Sequence, residues 1–401
     1  MKVLISGASV AGPTLAYWLH RFGFEPTVLE RTPQLRRGLG GHAVDLFGPA
    51  VEVADRMGLL PTVIDARTRT DEISFIRPGR SPIDIDMSGL VGAFADRHVE
   101  IMRGELASIL YEATRHDVEY VFGDSIATMD DTADGVRVTF ERGAARTFDL
   151  VVGADGLHSN VRALTFGDAA QFRRYIGGYL AVYTVPNHLR LSHRMLTYLA
   201  PGKLAGLYPV WQTGAARATF LFRRAEEFRY DHRDLDRQRA LLRETYAGDG
   251  WEVPRLLAEL DAADDFYLDS ISQVVMDSWS RGRVTLVGDA GYSPGPAVGG
   301  GTSTAVVGAY VLAGELWAAG GGYATAFAAY ERQIGELVRR GHAMGPAMMK
   351  TLIPRTAQQA WLTPRAAWLL PKLPTALQRR LLSMQGGPVR ALNAVQLKRY
   401  G

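Results

Sequence analysis

Short apolar runs broken by glycine-rich turns set out the order of elements along this chain. Val3 to Ile5 has the length of a buried strand, and a helix-period segment follows from about Pro13 to Phe22. A second short strand, Thr27 to Leu29, ends in Glu30. A helix is predicted from Pro49 to Met57, closed by Gly58. Residues 71–87 alternate on either side of Pro78-Gly79, the pattern of a hairpin. An amphipathic helix is predicted from Met102 to about Arg115, with strands at Val118–Phe122, Val136–Phe140 and Thr147–Leu150. Residues 175–223 are strand-rich and aromatic, which fits sheet core or a sheet with one face on a large apolar pocket. Helices at Arg233–Tyr246 and Pro254–Asp261 precede a strand at Phe266–Met276. A strand at Arg283–Val287 leads into an apolar helix reaching about Ala319, and another helix spans Tyr323–Arg340. Beyond it, prolines at 346, 354, 364, 371 and 374 separate short apolar helices, and Trp361, Trp368 and Leu369-Leu370 predict that this tail packs on the body.

The turns between these elements carry the candidate chemistry. Gly7-x-Ser9-x-x-Gly12 joins the first strand to the first helix, and Glu30 closes the second strand, as in a dinucleotide-binding β-turn-α-β unit. Gly7 permits the tight turn, Gly12 lets helix and strand approach, and the helix start offers N–H groups to a pyrophosphate. Gly7-Ala-Ser9-Val-Ala11 also half-resembles a nucleophile elbow, although its fifth residue is Ala. Arg36 and Arg37 stand beside Gly40-Gly41 as phosphate contacts or as solvated charges. Gly153-Ala154-Asp155-Gly156 ends a buried strand, and Ser159 opens a helix as its cap. Gly288-Asp289 ends another strand before Pro296 and the triplet Gly299-Gly300-Gly301, which again offers N–H groups and an acid suited to sugar-like hydroxyls.

Composition narrows the classes. The 401 residues, 47% apolar and 22% charged, suffice for two or three domains with ample core. Without cysteine there is no disulfide and no Cys-based metal site, which fits a cytoplasmic protein; the histidines show no metal-ligand spacing. The chain opens directly on a strand, leaving no room for a signal peptide, and no apolar run reaches the ~18 residues of a membrane span. Charge is uneven. No Asp or Glu follows Glu336, whereas eleven Lys and Arg do; without those eleven, the remaining 34 basic and 42 acidic residues give −8. The tail is read as a basic segment packed on an acidic body, or as a docking element for an anionic membrane surface, an acidic carrier protein or nucleic acid.

Taken together and in order, these motifs, with Arg103 on its helix and Arg162 after Asp155, resemble the single-component FAD-dependent monooxygenases of the para-hydroxybenzoate hydroxylase type. Gly40-Gly41 followed by Asp45-Leu46 is similar to the tetracycline-modifying and antibiotic-pathway members. The resemblance covers about 1–345 and implies an α/β fold. An FAD-binding domain with a parallel sheet would be formed by 1–70, 98–170 and 272–344. An interleaved substrate-binding β-sheet domain would be formed by 71–97 and 171–271, and 345–401 would be a basic helical segment. It implies that Gly7, Ser9 and Gly12 hold the FAD pyrophosphate, and that Glu30, with Arg31 beside it, takes the adenosine ribose. Arg103 would contact the FAD backbone, and Asp155 and Gly156 would serve FAD and NADPH. Gly288-Asp289 would bind the ribityl chain, with Pro296 and Gly299 to Gly301 beside the flavin ring. Asp45 would lie near the flavin, and Arg37 would meet NADPH. The implied reaction uses NAD(P)H and O2, and passes one oxygen through a flavin C4a-hydroperoxide to a bulky aromatic or polyketide-like small molecule. Hydroxylation leads, with natural-product tailoring or antibiotic modification as the setting. No nucleic acid is expected as a partner, no metal, and no single catalytic acid or base.

The sequence departs from the family where His is usual after Gly-Asp-Ala-Ala, having Gly291-Tyr292 instead. Ser303 replaces an Asn, and Gly308 a later Asp. Two other readings stay open: a flavin-dependent reductase or dehydrogenase of the same fold, and a non-catalytic flavoprotein-fold binder.

Overall fold

The strand Lys2–Ser6 buries Val3, Leu4 and Ile5 completely, so both of its faces are covered and it lies inside a parallel sheet. In the computed structural model, which describes residues 1–35, 42–86, 97–228, 234–296, 299–373 and 396–401, that sheet has six strands. Their order is Ser280–Arg281, Val284–Leu286, Leu150–Gly153, Lys2–Ser6, Glu25–Glu30 and Glu119–Phe122. All pair in parallel except the short edge strand Ser280–Arg281. Register explains the site. Ser6 lies level with Leu29 on one side and Gly153 on the other, and Gly153 lies level with Leu286. The three glycine turns therefore leave the sheet at one edge, at the carboxyl ends of its strands, where ligands of such sheets bind. The helices Ala11–Arg21 and Gly301–Ala318 pack on each other below these turns.

The second sheet has seven strands, ordered Tyr267–Val274, Arg173–Val185, Ala215–Arg223, Lys203–Val210, Arg194–Ala200, Glu72–Arg77 and Arg80–Asp86. One face buries Tyr179, Tyr183, Phe220 and Phe222 against Leu242 and Tyr246 of the helix Leu235–Tyr246. These aromatics are core. The Pro78-Gly79 hairpin forms as predicted, with Gly79 at φ +68, and joins the sheet through Glu72–Arg77. An antiparallel ribbon, Ala43–Phe47 with His98–Met102, borders the cleft described below. The α/β class, the parallel sheet, the interleaved second sheet and the C-terminal helices are those expected from sequence.

Three local expectations are corrected and one strand is added. Thr147–Leu150 is not one strand: Arg146–Phe148 belongs to a small antiparallel sheet and Leu150–Gly153 to the parallel one, because the chain changes sheets at Asp149. Ile126–Thr132, a strand of that small sheet, was not predicted, since its exposed Asp130, Asp131 and Thr132 break the apolar alternation. The helix from Tyr323 continues past Arg340 and through Pro346 to Leu352. The helix Ala357–Leu369 does pack on the body, against Arg80–Asp86 and Arg194–Ala200, but not through the residues expected: Trp361, Trp368 and Leu369 are 54%, 45% and 49% exposed.

Candidate functional site

At the first turn, Gly7 has φ +111, and a side chain on Gly12 would overlap the Gly7 carbonyl. Both positions therefore require glycine for the turn to close on the helix. Ser9 projects from this turn, and Arg103, the first residue of the helix Arg103–Glu112, donates to its Oγ from Nε at 3.3 Å and from Nη2 at 3.1 Å. Glu30 accepts from the Ala8 N–H at 3.0 Å and from the Thr32 N–H and hydroxyl at 3.0 and 2.9 Å. The acid on the second strand thus fixes the tip of the glycine turn. Arg31 is exposed and does not line the cleft.

The third turn faces the first across a cleft of about 240 Å3. Gly288 sits at φ +68, and Asp289 follows it into the cleft wall. Burial pushes the Asp289 carboxyl upward, opposed by the Arg103 guanidinium and by a hydrogen bond from Ser293. Gly299 and Gly300 both adopt positive φ, +80 and +79, and no side chain caps the helix that opens at Gly301. Gly301 and Thr302 therefore bring that helix start to the cleft.

The ribbon supplies the third wall. The Asp45 carboxylate lies 2.7 Å from His98 Nε2, and its backbone carbonyl accepts from Ser303 Oγ at 2.9 Å. Ser303 Oγ also accepts from the Phe47 N–H at 2.9 Å. This departure from the family pattern is a clamp that holds the ribbon to the glycine-triplet helix. His42 Nδ1 is buried without a hydrogen-bond partner in the cleft wall. Burial first, then Arg103, push His42 down to about 4. Tyr208 of the second sheet is buried in a small cluster with Met102, against Ala43 of the ribbon.

The structure thus brings Ser9, Asp45, Arg103, Gly156, Asp289, Pro296, Gly299, Gly300 and Gly301 to one cleft. Gly7, Gly12, Glu30 and Gly288 shape the turns behind it. Asp155 does not project into the cleft as Gly156 does. Its carboxylate accepts from the Ser159 hydroxyl at 2.5 Å and from the Asn160 and Val161 N–H groups at 2.9 and 3.0 Å, holding a helix start. Arg37 lies outside the described residues. Sequence reasoning missed His42, Tyr267 and Ser293 as cleft residues. Only His42 carried a signal, a histidine directly after Gly40-Gly41. Among the described residues no cluster of His, Asp and Glu could hold a metal ion.

The donor set fits a dinucleotide. Arg103 and an uncapped helix start suit phosphates, Asp289 suits hydroxyls, and the glycines clear room for close approach. The comparisons agree. The FAD binding domain family model matches residues 1–334. The chain is 39% identical over 345 residues to a flavin-dependent monooxygenase of Legionella longbeachae, covering 86% of this chain and 88% of the relative. It is 47% identical over 340 residues to an uncharacterized protein of Mycobacterium tuberculosis, covering 84% of this chain and 91% of the relative. The crystal structure of the tetracycline destructase Tet(51) superposes with a TM-score of 0.84 at 32% identity, over 100% of this chain and 99% of that one. The chain belongs to the FAD-binding-domain family of flavin-dependent monooxygenases.

Proposed function

We propose that the chain uses FAD, NAD(P)H and O2 to insert one oxygen atom into a bulky aromatic or polyketide-like small molecule, with hydroxylation as the leading outcome. One observation carries this: Arg103 bonds the Ser9 turn and, in the same glycine-lined cleft, favours the charged form of Asp289. On this reading the regions 1–70, 98–170 and 272–344 form the FAD-binding domain, and 71–97 with 171–271 the substrate domain. Ser9 and Arg103 hold the pyrophosphate, with Gly7 and Gly12 shaping the turn, and Glu30 takes the ribose. Asp289 takes the ribityl hydroxyls, and Pro296 and Gly299 to Gly301 border the ring. The flavin supplies electron transfer and oxygen activation. The chain's own part is to bind, orient and exclude water.

His42 is neutral above its lowered pKa, so its unpartnered Nδ1 offers one hydrogen bond to whatever fills the cleft. A tetracycline-type polyketide is the substrate class best supported, because the similarity to the destructase extends over the whole chain, including the second sheet. NADPH precedes NADH as the reductant to try.

The test is oxygen uptake and NADPH oxidation by the purified protein, with phenols and tetracycline-type polyketides as candidates, followed by mass analysis. A product heavier by one oxygen atom supports the proposal. Flavin reduction coupled to substrate change without oxygen gain would assign the chain as a reductase. A protein that holds no flavin would overturn both readings.

A further inference from the structure

The helix Ala357–Leu369 presents an unusual surface. Trp361, Leu362, Trp368 and Leu369 are each between 45% and 54% exposed. Their spacing places Trp361, Arg365, Trp368 and Lys372 in one line of successive turns, with Leu362 and Leu369 beside it. The cations lie on the rings: the Arg365 guanidinium is 3.7 Å from the centroid of Trp361, and Lys372 Nζ is 3.0 Å from that of Trp368. An exposed apolar stripe of this kind marks an interaction surface on a protein of ordinary surface composition.

Charge decides what the stripe meets. No acidic residue follows Glu336 in the sequence, so nothing later in the chain offsets Arg365 and Lys372. Arg77 and Arg80, on either side of the hairpin turn, lie close enough to repel Arg365. A second copy of this surface would bring like charge against like charge. Nucleic acid would meet the cations and the rings but would leave Leu362 and Leu369 without a partner. A bilayer with anionic headgroups satisfies all three features: phosphates for the cations, the headgroup level for the tryptophans, and the acyl boundary for the leucines.

We infer that the Ala357–Leu369 helix, together with the Arg77–Arg80 hairpin turn, is a docking surface for an anionic lipid bilayer. The contact is peripheral, since no helix among the described residues is long and apolar enough to cross a membrane. It places a flavin enzyme where lipophilic small molecules concentrate.

The experiment is sedimentation of the full-length protein with vesicles of equimolar phosphatidylglycerol and phosphatidylcholine, against vesicles of phosphatidylcholine alone. The expected result is binding to the anionic vesicles, weakened at least roughly tenfold when salt rises from about 0.1 to about 0.5 M. Arg365→Glu with Lys372→Glu should weaken it by a similar factor, and Trp361→Glu with Trp368→Glu should abolish it. Unfolding midpoints and circular dichroism of the variants report whether they fold. A second readout needs no disruptive change: brominated acyl chains should quench tryptophan emission of the native protein, and Trp361→Phe with Trp368→Phe should remove that quenching. Several outcomes overturn the inference. These are no binding to anionic vesicles, equal binding to both vesicle types, binding that survives Trp361→Glu with Trp368→Glu in a folded variant, or no quenching that Trp361→Phe with Trp368→Phe removes. Self-association or duplex DNA binding that depends on Trp361 and Trp368, in place of vesicle binding, overturns it too.

Discussion

Tyr292 and Gly308 each depart from the family pattern, and the structure ties the two departures together. A Cβ on Gly308 would overlap the Tyr292 hydroxyl. That hydroxyl lies 2.9 Å from the Tyr330 hydroxyl, which lies 3.0 Å from the Leu286 carbonyl, beneath the strand that delivers Asp289. Tyr292 therefore fills space that only glycine leaves open. Gly308→Ala is expected to cost about 1–3 kcal/mol, by overpacking. In a Tyr292→Phe background the ring carbon stays 3.3 Å from the added methyl, so the cost should fall by more than about 1 kcal/mol. Equal costs of Gly308→Ala in both backgrounds, measured by urea unfolding, would refute the coupling. His42 carries a second prediction. The unfolded chain binds a proton near 6.5 and the folded one only near about 4, so between these values the unfolded state holds more protons. Stability should fall by up to about 3 kcal/mol as pH drops from 6.5 to 4, and His42→Asn should remove that part of the loss. Burial raises Asp289, which acts in the opposite direction, so the difference between native protein and variant isolates the histidine. At this scale glycines were legible in sequence, because a turn between strand and helix demands them. The Tyr292–Gly308 pairing was not, because it depends on how two helices face each other.

Among the elements, the long helix Tyr323–Leu352 departs furthest from its sequence reading. Pro346 predicts a stop, since it lacks the N–H that would reach the His342 carbonyl one turn back. The structure supplies another donor. Gln273, from the second sheet, donates its Nε2 to the His342 carbonyl at 2.7 Å and lies 3.2 Å from the Pro294 carbonyl. A side chain on Gly345 would lie 2.7 Å from that same nitrogen, so glycine there admits the glutamine. The helix continues because a residue 69 positions before His342 completes its hydrogen bonding, which no local pattern can show. Gln273→Leu should cost about 1–3 kcal/mol, as the His342 and Pro294 carbonyls lose a donor. With Pro346→Ala, which restores the missing N–H, the cost should drop, and a double-mutant cycle by thermal unfolding measures the drop. Elements whose signal was local fared better. The Pro78-Gly79 hairpin and the strand-turn-helix units at Gly7 and Gly299–Gly301 follow from turn chemistry alone.

Across the whole molecule, the chain's last residues close onto the parallel-sheet side. Tyr400 is 6% exposed, and its ring lies where a side chain at Gly314 would stand. Its hydroxyl donates to Glu315 at 2.7 Å, and Lys398 pairs with the same carboxylate at 3.0 Å. Burial alone would raise Glu315, but the hydrogen bonds from Tyr400, Lys398 and Gln333 outweigh it and hold the carboxyl below its usual range. The Lys398 carbonyl accepts from the Tyr310 hydroxyl at 2.8 Å and from Arg56 at 3.0 Å. Glu315 and Gly314 lie on the helix that opens at the cleft with Gly301, so residues 398–400 support the helix that borders the cleft. The basic, acid-free tail carries no sign of this in its residue pattern, because the burial lies in one aromatic side chain. Tyr400→Ala should cost about 3–5 kcal/mol, leaving a cavity beside Gly314 and a buried carboxylate with fewer donors. Tyr400→Phe keeps the packing and should cost only about 1–2 kcal/mol, the share of the hydrogen bond. Because the support is lost most where Glu315 is ionised, the Tyr400→Phe penalty should shrink as pH falls through the carboxylate range. Urea unfolding of the two variants near neutral pH and in acid reads all three effects. Equal stability of Tyr400→Ala and the native protein would remove the anchoring role.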